Sequence, residues 1–243
     1  MCVHAASVAV NSITFFGCVE RLFVFFSSST HRWNVLTSGT GQSVKHIIET
    51  QWSVRADAVN VVHKYFSKIL STLEKLMDEE ENAATRADAG ILLVALQSFS
   101  FLCFLGLWGP VLQEINDTQT YLQTKGLNLH QCDIKLKALE TFLIDNRDKL
   151  VSNAVNYAQK ICSDLGISIE RQRRPKKKKQ MFGECSQDSE LPYDMELRRE
   201  MFSSMDRVIQ EINLRFQQLH ELVEKYTFLT RWGIFWMMNV SVN

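Results

Sequence analysis

At 243 residues and 46% hydrophobic, the chain is long enough to bury a core as one domain, or one domain with a fragment attached. Its 27 cationic and 27 anionic side chains cancel, so no global charge draws it to nucleic acid or membrane and only local clusters count. Ten Gly and three Pro exclude a turn-rich β fold and predict long, uninterrupted helices.

Taken in order, the chain opens on Met1-Cys2-Val3-His4, which has the pattern of neither a signal peptide nor a transit peptide. Cys2 and His4 lack a second pair of ligands, so no metal or cofactor is expected there. The six Cys, at positions 2, 18, 103, 132, 162 and 185, show no Cys-x-x-Cys spacing. That usage fits a reducing, intracellular compartment. Residues 13–29 carry Phe15, Val19, Leu22, Phe23 and Phe26 at helical spacing and predict a core helix. Residues 30–49 read as loop with a short helix over 44–49. The next start signal is Ser53, an N-cap whose hydroxyl can accept an otherwise unpaired backbone N–H, with Trp52 before it as a staple.

Four long helical blocks follow. Residues 54–77 place Ala58, Val61, Val62, Tyr65, Ile69, Leu73 and Leu76 on one face. The acidic run Asp78-Glu79-Glu80-Glu81 reads as a solvated loop, since four adjacent acids cannot all reach one ion, and Thr85 is expected to cap the next helix. Residues 89–113 contain no charged side chain and are long enough to span a bilayer. Gln97, Ser98 and Ser100 within the run, and Asp88 and Glu114 at its flanks, favour the central buried helix of a bundle instead. Gly106, Gly109 and Pro110 are expected to break its far end. The pattern resumes to Leu122, with Gly126 as its C-cap, and residues 130–165 form another helix closed by Gly166. Glu140 and Asp145 on that block read as surface charge rather than a tuned acid/base couple.

Residues 170–190 change character. Arg171, Arg173, Arg174, Lys176, Lys177, Lys178 and Lys179 crowd around Pro175, and such a run repels itself and stays extended. It reads as a nuclear-import signal and as a contact to phosphates, which mobile cations neutralise without reading sequence. Residues 193–229 then form a last amphipathic helix through Met201, Met205, Val208, Ile212, Phe216, Leu219, Val223 and Tyr226. The remaining tail presents Trp232, Phe235 and Trp236.

Several phrases carry a resemblance. Phe15-Phe16-Gly17, the stretch from Phe25-Phe26-Ser27 to His31-Arg32-Trp33, Thr50 to Ala58 and Arg215-Phe216 are similar to hAT-superfamily transposase-derived proteins, most nearly the zinc-finger MYM-type and kinase-inhibitor-repressor-like members. The likeness runs from about residue 3 to about residue 229. It implies the helical insertion of an RNase H-like transposase core with the sheet absent, so that the helix over 13–29 would lack its usual packing surface. The likeness of Val3-His4-Ala5-Ala6 to a phrase within the family implies that the chain begins mid-domain. Transposases of this group use two Asp and one Glu to hold two metals, and none of the three maps onto this chain; without them phosphoryl transfer loses its electrostatic basis. The resemblance also places Trp52 beside DNA ends as a stacking residue, although its usual Arg neighbour is Gln51 here.

The expected architecture is all-α, a helical bundle of long amphipathic helices. Its expected parts are a core remnant over 1–49, the insertion over 50–169, a basic linker over 170–192, a final helix over 193–229 and an unrelated tail over 230–243. The expected function is non-enzymatic: a nuclear interaction module with nonspecific nucleic-acid contact through Trp52, Arg55 and the cations from Arg171 to Lys179. Expected partners are nucleic acid, an import receptor and a protein docking on exposed helix faces, with no cofactor and no small-molecule substrate. Alternatives are a truncated element or incomplete gene model without independent function, a cytoplasmic location, and membrane association through 89–113.

Overall fold

The computed structural model describes residues 9–41, 52–79, 81–169 and 192–240. Every regular element among them is a helix, as the composition requires. The order is α1 (Val10–Ser27), α2 (Thr30–Thr40), α3 (Trp52–Lys64), α4 (Phe66–Lys75), α5 (Ala83–Leu96), α6 (Phe99–Leu122), α7 (Leu129–Asp145), α8 (Arg147–Leu165) and α9 (Tyr193–Val240).

Helix α6 is the axis. Phe101 to Gly109 are buried without interruption, enclosed by α3 and α8 on the largest faces and by α1, α5, α7 and α9 elsewhere. The α6 part of the apolar run over 89–113 is therefore core, and the run is two helices. Ser98 divides it: its hydroxyl donates to the Ala95 carbonyl at 2.8 Å and accepts the Phe101 N–H at 3.3 Å, so one side chain ends α5 and caps α6. The two helices bend by 69° across this break. The expected break at Pro110 does not occur, and α6 runs through it to Leu122. Proline forfeits one backbone hydrogen bond, while burial of Val111 and Leu112 just beyond keeps the helix in register with its neighbours.

Helix α1 by itself is long and apolar enough to cross a membrane, with a mean hydropathy of 1.3. Here its stripe faces protein. Phe15 meets Phe101 at 5.0 Å between ring centres, Phe16 meets Trp108 at 5.3 Å, and Trp108 Nε1 donates to Ser12 Oγ at 3.2 Å. The packing surface that the resemblance implied to be missing is supplied by α5, α6 and α9. Residues 30–40, expected as loop, are α2, closed by Gly41 at φ +71°. The expected helix over 44–49 lies outside the described residues.

Other boundaries shift for local reasons. α3 begins at Trp52, which puts Ser53 inside the first turn rather than at the cap. The block over 54–77 is two helices, parted at Tyr65, whose backbone sits at φ −111° and ψ 22°. Asn82, not Thr85, caps α5, accepting the Thr85 N–H at 2.7 Å. α6 ends at Gln123 in ordinary right-handed backbone, and Gly126, at φ +85°, belongs to the following loop. Asn128 and Gln131 then form a reciprocal capping box at the start of α7. The block over 130–165 divides at Asn146, while Gly166 closes α8 at φ +65° as expected. α9 continues past Leu229, so the backbone of 230–240 is helical; the placement of the Trp232, Phe235 and Trp236 side chains lies outside what is described.

Candidate functional site

The residues singled out for nucleic acid do not converge among the described residues. Trp52 opens α3, and its side chain lies outside what is described. Arg171, Arg173, Arg174 and Lys176 to Lys179 also lie outside the described residues; in sequence they join α8 to α9. Arg55 requires correction. It is 6% exposed, with its guanidinium carbon 4.8 Å from the centre of the Phe16 ring. A cation held over an aromatic face between α1 and α3 is part of the packing there.

The acidic run behaves as a loop. Asp78 and Glu79 are exposed, and Glu81 Oε1 pairs with His31 Nε2 at 2.6 Å, tying α2 to the turn before α5. No three His, Cys, Asp or Glu side chains are grouped to hold a metal among the described residues. Cys18, Cys103, Cys132 and Cys162 are all free thiols. Burial pushes Cys103 up to about 12, helped by the neighbouring Cys162, so it is not a nucleophile.

Two other places carry chemistry. The first is an open groove of about 630 Å³ between α1, α5 and the start of α9. Its apolar wall is Val10, Ile91 and Val94, which are 72%, 63% and 58% exposed. One end is fixed by Glu200, whose carboxylate accepts from the backbone N–H of Asn11 at 3.0 Å and from its side-chain amide at 3.1 Å. Arg21 and Glu196 add charge to the rim. Burial raises the Cys18 thiol, and no His lines the groove to activate Thr14, Ser98 or Ser100. The groove offers a surface for an apolar segment.

The second place is a junction of three helices. His63, in the last turn of α3, stacks on Tyr157 of α8 with ring centres 4.8 Å apart and planes at 21°. Gly109 of α6 lies beneath, where an added Cβ would sit 3.4 Å from His63 Cδ2. Burial lowers the His63 pKa and raises that of Tyr157 to about 12. Neither place emerges from the sequence reading. Ile91 and Val94 were hidden inside a run read as core throughout, although their spacing of three puts them together, one residue off the Leu92–Leu96 face. His63 carries no local signal at all, because its partners lie far along the chain.

No family model, curated protein or solved structure matches the chain.

Proposed function

We propose that this chain is a catalytically inactive, hAT transposase-derived interaction module that acts in the nucleus. In this reading the groove between α1, α5 and α9 takes an apolar segment of a protein partner, and the run from Arg171 to Lys179 contacts phosphate and the import machinery. The observation that carries it is the groove's apolar wall: exposed Val10, Ile91 and Val94 offer binding surface to an apolar segment. The transposase phrases quoted above support the lineage. The all-helical described portion fits the reading of a helical insertion.

The test uses the purified full chain and duplex DNA, with Mg²⁺ or Mn²⁺. The expected result is binding without nicking or strand transfer, and an affinity that falls steeply with salt. Replacing Lys176 to Lys179 by Gln removes four released counterions, so the salt slope becomes shallower by up to about four units and affinity falls alike on all sequences. Nuclear accumulation of the variant falls in parallel. Metal-dependent cleavage abolished by a carboxylate substitution overturns the inactive reading. An unchanged salt slope and unchanged localisation overturn the nuclear and nucleic-acid reading.

A further inference from the structure

We propose that His63 is a proton-sensitive joint: its neutral ring locks α3 onto α6 and α8, and its protonation loosens that three-helix junction. The geometry is specific. His63 lies two residues before the break at Tyr65 that parts α3 from α4, so whatever holds its ring also fixes the direction in which the chain leaves α3. On one side the ring stacks on Tyr157; on another it passes over Gly109, where the lack of a side chain lets it approach the α6 backbone. One turn earlier on α3, Asn60 donates to Gln113 Oε1 on α6 at 2.5 Å, closing the same seam with a neutral pair.

Two effects compete at this imidazole. The last turn of a helix favours a cation through the unpaired carbonyl dipoles. Removal from water disfavours it. Burial wins, and no charged side chain contributes to the outcome. Three ionisable groups near the junction have other partners. Lys64 and Lys68 lie over the Tyr65 ring at 5.3 and 5.6 Å, and Asp117 on α6 accepts from Gln113. Glu114 on α6 and Lys160 on α8 leave the imidazole uninfluenced, and Tyr157 stays neutral throughout the His range. A positive charge on His63 therefore meets a phenol ring and glycine backbone, with no carboxylate to receive it.

The sign follows from linkage. The folded state binds the proton more weakly than the unfolded chain, whose His titrates near about 6.5. Above that pH both states are neutral and His63 adds no pH dependence. As pH falls below it, the unfolded chain takes up the proton first, and the folded-to-unfolded ratio drops by at most about tenfold per pH unit, levelling off once the folded pKa is passed.

The experiment compares the wild-type full chain with His63→Phe, which keeps a stacking ring and cannot titrate. Urea midpoints are measured from about pH 7.5 down to about pH 5. All the other histidines are common to both proteins, so the readout is the difference between them. The expected result is a wild type that loses stability on acidification by one proton more than the variant. Should the variant fold poorly, the His63 imidazole is titrated by NMR in the wild type. It should titrate below the free value, with Tyr157 and Gly109 resonances moving on the same curve. Parallel pH profiles, or a His63 titrating at its ordinary value while Tyr157 and Gly109 stay still, overturn the proposal.

Discussion

Where α6 crosses α8, a Cβ added to Gly106 would lie 3.1 Å from the Ala154 Cα and 2.9 Å from the Tyr157 ring. Where α5 passes α1 and α9, Ile91 and Val94 stand in the open and a cavity of about 630 Å³ separates the helices. Both surfaces are apolar, so hydrophobicity alone does not decide which one closes. The difference is the size of the residues at the crossing. Gly106 facing Ala154, with Ala158 and Cys162 continuing that face of α8, lets two backbones approach until dispersion contacts are dense. Branched side chains at Val10, Ile91 and Val94 hold their helices apart. A closed seam is thus recognised by small residues at helical spacing, and an open one by bulky residues that have nothing to interleave with.

The comparison is broken most directly at Gly106. Gly106→Ala gains about 1 kcal/mol in helix propensity, but its Cβ meets the Ala154 backbone, which cannot rotate away as a side chain could. Overpacking of this kind costs typically about 1–3 kcal/mol. The expected net effect is a loss of up to about 2 kcal/mol, read from the urea midpoint; a more stable variant would mean the seam is looser than described. Gly90 on α5 sharpens the contrast. An added Cβ there meets only the Met77 thioether end at 3.6 Å and 3.9 Å, so Gly90→Ala should raise stability by about 0.5–1 kcal/mol. The same substitution thus has opposite signs on two helices. The smallest effect on stability is expected in the groove. Ile91→Gln with Val94→Gln should change it by no more than about 0.5 kcal/mol, while the fluorescence of bound bis-ANS falls. A large loss of stability would make the groove part of the core.

Much of the architecture was legible. The stripe of α1, the burial of Phe101 to Gly109 and the left-handed Gly166 follow from periodicity, a charge-free run and a glycine at a helix end. The helix breaks were not. At Tyr65, at Gln97-Ser98 and at Asn146 the chain turns without Gly or Pro, and the apolar spacing continues in phase across each break: Ile69 and Leu73 are as buried after Tyr65 as Val59 and Val62 before it. Periodicity reports which residues face inward, not whether they share one axis. Ser98 was read only as a polar residue within the apolar run, and its capping role shows in the fold. Arg55 failed for the opposite reason. Arginine is exposed in most settings, and only the meeting of α1 with α3 supplies the Phe16 ring that accommodates it.

Helix α9 also bears on how the chain must be made. It lies against α1, α6, α7 and α8, and its inner face of Leu197, Met201, Met205, Val208 and Ile212 is buried on them. Among its polar fastenings are Glu200 onto Asn11 and Asp206 onto the forked guanidinium of Arg147 at 2.5 and 2.7 Å. All four of those helices are synthesised before it. Between the end of α8 and Ile212 lie roughly fifty residues, about 2–10 s of translation, during which the faces awaiting α9 are bare on the ribosome. Native packing is therefore completed only after α9 has left the exit tunnel.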